Sequence, residues 1–161
     1  MTLKARIHTE LNRLASLAGT NSVPQLLRID TGDGHVESEL TTIDQLACAF
    51  NRFAYKTDKL ANSTIDELKD VANSLSSQLG YLLESISPVE IDDEACVVQM
   101  RSNPPEKDDD GTRYYELVVA RGELTLLRYC KPPGQPRAIV AANVTREVFE
   151  RLGEDFVDTV A

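Results

Sequence analysis

The triplet Asp30-Thr31-Gly32 is the part of this sequence that most directly suggests catalysis. A carboxylate at the end of an apolar strand can hydrolyse peptide bonds when a second aspartate faces it and the two share one proton. Here the triplet lies between two predicted helices and follows Arg28, and the sequence contains no second Asp-Thr-Gly. We therefore interpret residues 30–32 as a turn, for which aspartate and glycine are well suited.

Two groups of carboxylates could instead bind a hard cation, because calcium prefers several oxygen ligands on a flexible loop. The first group is Asp30, Asp33, Glu37 and Glu39, and the second is Asp108, Asp109 and Asp110. Neither group has the alternate spacing and the sixth-position glycine of an EF-hand loop. We interpret both as solvated charges, and a small-ligand or divalent-cation-binding module that uses the first group is the alternative function.

The candidate bases and nucleophiles are two histidines, His8 and His35, and three cysteines, Cys48, Cys96 and Cys130. None of them lies in a recognised nucleophile motif, and the cysteines lack the CxxC spacing of metal ligands. The glycine-rich phosphate loops GxGxxG and GxxxxGK[ST] do not occur either. The sequence thus predicts no catalytic, cofactor-binding or metal-ligating residue and no cofactor, and a hydrolase is the least favoured function.

The composition restricts the partners. The 161 residues carry a net charge of −9, and this acidity argues against nucleic acid, whose phosphates require clustered lysine and arginine. The sequence contains no run of eighteen apolar residues, so it predicts no membrane span. The three separated cysteines are an odd number, which fits buried thiols in a reducing cytoplasm better than a disulfide framework.

Helical periodicity dominates the first half of the sequence. Residues 2–18 are predicted to form an amphipathic helix that ends at Gly19, and residues 20–40 a mobile connector with a possible short strand at 25–29. A helical hairpin should follow, with one helix over 41–60 and a second that begins after Ser63 or Thr64 and ends before Pro88. Its apolar stripes are Ile43, Leu46, Phe50, Phe53 and Leu60, then Leu68, Ala72, Leu75, Leu79, Leu82 and Ile86. One unbroken helix over 41–86 is the alternative.

After Pro88, the apolar residues change from helical periodicity to strand periodicity. Apolar residues alternate in three predicted antiparallel strands, with turns at Asp110-Gly111 and Arg121-Gly122 and a fourth short strand at 137–141. The inward positions are Cys96, Val98 and Met100, then Tyr115, Leu117 and Val119, then Leu124, Leu126 and Cys130. A last helix should begin at Asn143 or Thr145 and bury Val148, Phe149, Leu152 and Phe156.

These elements predict a single α+β domain over 1–161, in which N-terminal helices, including a helical hairpin, pack on a four-stranded antiparallel meander that a C-terminal helix follows. Its parts are a helix and connector at 1–40, the hairpin at 41–87, the sheet at 88–142 and the last helix at 143–161.

A helical hairpin that covers a sheet favours binding over chemistry. We expect a small acidic, non-catalytic protein-interaction module, a homo-oligomeric adaptor or chaperone-like binder whose partner is another protein or a second copy in a homodimer. Acidic residues between 84 and 94 and between 108 and 110 would attract a basic partner. The residues proposed for the contact surface are Phe50, Phe53, Asn73, Ser77, Gly80 and Tyr81.

Overall fold

A computed structural model describes residues 1–18 and 24–161. These residues form three α-helices: α1 (Leu3–Ala18), α2 (Ile65–Gln78) and α3 (Arg146–Val160). They also form ten strands, which are β1 (Gln25–Thr31), β2 (Gly34–Ile43), β3 (Ala47–Thr57), β4 (Ile86–Asp92), β5 (Val97–Ser102), β6 (Glu106–Asp108), β7 (Gly111–Ala120), β8 (Glu123–Lys131), β9 (Ala138–Val140) and β10 (Ala142–Thr145). Short 3₁₀ helices occupy Asp58–Leu60 and Leu79–Leu82.

All ten strands belong to one antiparallel sheet. Its main order is β1-β2-β3-β8-β7-β5-β4, so that β1 and β4 are the edge strands. The helices form one layer on this sheet: α1 packs on β1 and β2, α2 on β4, β5 and β7, and α3 on β3 and β10, with α3 in contact with both other helices. The core lies between the two layers, and the opposite face of the sheet carries ion pairs such as Glu37–Lys56 and Glu116–Arg137.

The predicted four-stranded meander with a helical hairpin is therefore wrong, since the fold is mostly sheet. The first predicted helix of the hairpin, 41–60, is the end of β2 followed by β3. A β-bulge explains the error. Leu40 pairs with Phe50 and Glu39 with Arg52, so Asn51 is an extra residue in β3. An extra residue reverses the inward and outward alternation, and it lets Phe50 and Phe53 both face the core at a spacing of three, which imitates a helix.

The predicted connector is also largely sheet. The strand expected at 25–29 is confirmed as β1, but β2 follows it where an irregular segment was expected. Along β2, the fully buried positions are Val36, Ser38 and Leu40. Because Ser38 is polar, it hides the alternation; its hydroxyl donates to the Arg52 carbonyl at 2.7 Å. The helix expected at 2–18 is confirmed as α1, whereas its expected end at Gly19 lies outside the described residues.

The second helix of the predicted hairpin exists but is shorter. It begins after Thr64, whose hydroxyl accepts from the Glu67 N–H while the Glu67 carboxylate accepts from the Thr64 N–H, which confirms the predicted capping box. It ends at Gln78, and β4 already begins at Ile86. Between them the chain turns at Leu83, which has a left-handed backbone.

In the second half of the chain, the observed elements agree better with the predicted ones than in the first half. The three predicted strands are confirmed as β5, β7 and β8, and the last helix begins after Thr145, whose hydroxyl accepts from the Val148 N–H. The predicted fourth strand, 137–141, is confirmed as β9, and the short strand β10, which was not predicted, follows it. Within residues 1–18 and 24–161, no helix has both the length and the apolar character needed to cross a membrane.

Candidate functional site

A cleft of about 620 Å³ opens beside the second half of β8. The first half of β8 pairs with β3 and the second half with β9, so the sheet divides at this point. The cleft, which we name the Arg128 cleft, is lined by Leu82, Leu83, Glu84, Pro104, Pro105, Glu106, Arg113, Tyr115, Arg128, Val140, Ala141 and Asn143. Its wall is thus built from the turn before β4, the start of β6 with the two prolines before it, strands β7 and β8, and residues 140–143 of β9 and β10.

Strand alternation directs Arg128 into this cleft. Arg128 follows Leu124 and Leu126 at spacings of two, so its side chain lies on the helix-covered face of the sheet. Only 9% of the residue is exposed. Its guanidinium carbon lies 4.5 Å from the ring centre of Tyr115, the residue paired with it on β7. Burial also raises the pKa of the Tyr115 phenol.

Two carboxylates neutralise the buried guanidinium. Arg128 Nη1 lies 2.9 Å from Glu84 Oε2, and Nη2 donates to Glu106 Oε2 at 3.0 Å. The contact with Glu84 is electrostatic and poorly aligned for hydrogen bonding. Within the part of the chain that the structure describes, neither Arg128 Nη1 nor Glu84 Oε1 has a hydrogen-bond partner, although both atoms are buried. Such groups are rare in folded proteins because each loses its hydration without replacement.

Leu83 stands at the mouth of the cleft. Its φ is 66°, a conformation that costs a non-glycine residue roughly 1–2 kcal/mol. Its side chain is nevertheless 91% exposed. An apolar side chain that is both strained and exposed contributes little to folding, so it is available for a contact outside the chain.

The edge strand β4 continues from this turn. Val89 and Ile91 are 52% and 44% exposed. Between residues 84 and 94 the sequence has five carboxylates and no lysine or arginine. Pro88 has no N–H, and the pairing of β4 with β5 shifts between Pro88 and Glu90. These features shorten the stretch on which another strand can pair, as edge strands often do, and leave residues 90–92 in regular register with β5.

The contact residues predicted from the sequence lie in two places. Phe50 and Phe53 are fully buried and stack edge-on with each other, so they belong to the core and not to a surface. Asn73, Ser77 and Gly80 are exposed on or just after α2. Tyr81 lies beside them, half-buried, and donates to Asp155 Oδ2 at 2.7 Å. The structure therefore separates the two phenylalanines from the other four residues.

The carboxylates of the first group, which were considered as cation ligands, pair with different basic side chains. Asp30 accepts from Arg28, Asp33 pairs with Lys59, and Glu37 pairs with Lys56. Over residues 1–18 and 24–161, no group of three or more histidine, cysteine, aspartate or glutamate side chains is placed to bind a metal ion.

The histidines and cysteines likewise lie apart from the cleft. His8 Nδ1 lies 2.9 Å from Glu150 Oε1, and His35 Nε2 lies 3.7 Å from Glu37 Oε1. All three cysteines are buried, as the sequence predicted. Burial raises the pKa of Cys48 to about 12, which keeps its sulfur in the unreactive thiol form at neutral pH.

Sequence reasoning missed Arg128, Glu84 and Leu83. One signal was available: Leu124, Leu126 and Cys130 were predicted to face the core, and Arg128 shares their parity in the same strand. A charged residue at an inward position indicates a buried ion pair or a site. Comparisons with protein-family models, curated proteins and solved structures found no match for this chain.

Proposed function

We propose that this protein is a non-catalytic, chaperone-like binder that holds an extended basic segment of another protein along β4. The observation that carries the proposal is an edge strand with two half-exposed apolar side chains, Val89 and Ile91, in an acidic surrounding. An extended segment can add to such an edge through backbone hydrogen bonds, while alternate side chains contact the exposed apolar residues.

Charge selects the kind of segment. The four exposed carboxylates between residues 90 and 94 and the net charge of −9 attract a basic chain and repel an acidic one. Leu83, at the start of the same edge, adds apolar surface that the fold does not use. A segment with alternating apolar and basic residues fits both features.

A pair of labelled peptides tests the proposal by fluorescence anisotropy. The first is a ten-residue peptide of alternating valine and lysine, and the second replaces lysine with glutamate. We expect the protein to bind the first and not the second. Substituting both Val89→Ser and Ile91→Ser should weaken binding about tenfold or more, because each side chain loses part of its contact with the peptide. Ile139→Ser, at a residue that is 50% exposed on β9, is the matched control and should bind as the native protein does.

Equal binding of both peptides, or equal binding by the edge variant, would contradict the proposal. The other possible occupant of this edge is a second copy, as in the homodimer expected from the sequence. Light scattering in dilute buffer separates the two. A dimer that becomes monomeric with Val89→Ser and Ile91→Ser would assign the β4 edge to self-association.

We also infer a cytoplasmic location. The support is chemical: Cys48, Cys96 and Cys130 are free and buried, and a reducing compartment preserves such thiols. Fractionation of expressing cells with an antibody to the chain tests this location, and recovery in an oxidising compartment would contradict it.

A further inference from the structure

The outer edge of β1 lacks the features that shorten the pairing stretch of β4. All seven residues of β1, Gln25–Thr31, pair with β2 in one unbroken register, and no proline or bulge interrupts them. Among the described residues, none pairs with β1 on its other side. The only charged residues of β1 are Arg28 and Asp30, so this edge is electrically neutral, whereas β4 is acidic. A regular, neutral edge strand is a surface on which another strand can pair.

The hairpin determines which backbone groups of β1 point outward. A two-residue loop joins Thr31 to Gly34, and these two residues lie directly opposite each other as the hydrogen-bonded pair that closes the hairpin. Along an antiparallel pair, hydrogen-bonded and non-hydrogen-bonded positions alternate. The N–H and C=O groups of Leu26, Arg28 and Asp30 therefore point to the free edge. The side chains of the same three residues are exposed on the open face of the sheet.

A second copy of β1 can pair antiparallel in a register that matches these charges. When Ile29 lies opposite Ile29 of the second copy, Arg28 lies opposite Asp30 and Asp30 lies opposite Arg28. Both pairs consist of residues whose backbone groups point to the free edge, so both form backbone hydrogen bonds. Within one chain, Arg28 Nε already donates to Asp30 Oδ1 at 3.1 Å. In this register each guanidinium lies between its own aspartate and that of the second copy, whereas a register with Arg28 opposite Arg28 places like charges together.

We propose that two copies of this protein pair through β1 and form a dimer with one continuous sheet. Leu27 and Ile29 are buried on the helix-covered face, so the helix layers of both copies lie on the same side of that sheet. Each copy uses the same edge, and the assembly therefore ends at two copies.

The net charge of each copy does not prevent this pairing. Two chains with a charge of −9 repel each other, but salt at physiological ionic strength screens charges that are more than about 8 Å apart. The acidic β4 strands lie at the opposite ends of the joined sheet. Both β4 edges thus remain open, and the dimer does not depend on what β4 binds.

Charge reversal tests the pairing and its register. Sedimentation equilibrium of the native protein over a dilution series should show a monomer–dimer equilibrium. Arg28→Asp places two aspartates opposite each other at both pairs and should raise the dissociation constant of the dimer about tenfold or more. Asp30→Arg should have the same effect with two arginines. Lys107→Asp, which reverses an exposed cation on β6 and changes the net charge as Arg28→Asp does, is the control and should dimerise like the native protein.

Mixing the two charge variants provides the complementary test. In a mixed dimer, each aspartate of the Arg28→Asp variant lies opposite an arginine of the Asp30→Arg variant. An equimolar mixture should therefore form dimers at a concentration at which neither variant does so alone. This gain also shows that both variants are folded.

A native protein that stays monomeric, a dimer that neither charge variant weakens, or a mixture that does not dimerise would overturn the proposal. Masses above that of a dimer would also overturn it, because β1 of one copy paired with β4 of the next forms an open chain. The protein with Val89→Ser and Ile91→Ser should keep the dimer. Loss of the dimer in that variant would assign self-association to β4, so the two proposals fail in different ways.

Discussion

Gly34 allows β2 to approach β3 closely. A Cβ atom on this residue would lie 1.9 Å from the Lys56 carbonyl oxygen and 2.8 Å from the Thr57 Cα. Both are backbone atoms of the paired strand, so neither can rotate away. The absence of a side chain here is a packing requirement of the β2–β3 pair.

Gly34→Ala should therefore lower the free energy of unfolding by about 3 kcal/mol, because overpacking against a backbone forces the strands apart. Gly32→Ala in the same hairpin is the control. No described atom lies within 4 Å of the Cβ that it would add, and the free energy should stay the same or rise by about 0.5 kcal/mol. Urea denaturation of the two variants measures the difference. Similar stabilities would show that the strands tolerate the extra atom.

The cap of helix α2 could be predicted from individual residues. Thr64 and Glu67 form the predicted capping box because their spacing alone brings hydroxyl, carboxylate and backbone N–H groups together. The ion pairs of Arg128 could not be predicted in the same way. Its strand parity points it inward, but its partners Glu84 and Glu106 lie 44 and 22 residues away in the chain, and no local pattern brings them together.

At the scale of elements, the open face of the sheet is organised around Glu37. Lys56 Nζ lies 2.7 Å and Arg52 Nη1 3.5 Å from Glu37 Oε1. Burial acts to raise the pKa of Glu37, but the hydrogen bond from Lys56 and the charge of Arg52 outweigh it and hold the pKa below its usual range. The ion pairs connect β2 with β3 on the face that the helices leave uncovered.

This pKa direction predicts a pH dependence. A carboxylate with a lowered pKa in the folded state stabilises the fold above its unfolded pKa of about 4.3 and loses that effect as the pH falls through the lower folded value. Glu37→Gln should therefore cost about 1–2 kcal/mol at pH 7, and the deficit should shrink below about pH 4. Urea denaturation between pH 7 and pH 3 measures it, with exposed Glu94→Gln as the control. A deficit that is constant with pH would contradict the electrostatic origin.

Element type was predictable where the periodicity was regular. Strands β5, β7 and β8 alternate without interruption, and all three were predicted. Strands β4, β6 and β10 were missed as well as β2 and β3. In β2 and β3 the period of two is disturbed, by a polar inward residue in the first and by an extra residue in the second. The aromatic residues of β3, Phe50, Phe53 and Tyr55, favour strands and were the signal that could have corrected the error.

At the scale of the whole molecule, α1 is an integral part of the core. Ile7 and Leu11 are fully buried. Arg146 of α3 donates to Asn12 Oδ1 at 2.7 Å and ties the two helices together. The sequence predicted this helix, but its docking position depends on strands β1 and β2, which were expected as a mobile connector.

Ile7→Ala should consequently lower the free energy of unfolding by about 3 kcal/mol, since it opens a cavity between α1 and the sheet. Leu17→Ala, at a residue that is 59% exposed near the end of the same helix, should change it by less than about 0.5 kcal/mol. Thermal and urea denaturation compare the two. A small effect at Ile7 would mean that α1 is an appendage, contrary to its burial.

The strand order also governs when a growing chain can fold on the ribosome. The first three strands emerge together, but β3 pairs in its second half with β8 and in its first half with β10. Phe53 is covered by Phe149 and Phe156 of α3. Until those late residues leave the exit tunnel, the nascent protein exposes one unpaired edge of β3 and its aromatic side chains. Translation of α3 therefore precedes closure of the core, and a nascent chain that still lacks α3 is the form most vulnerable to aggregation.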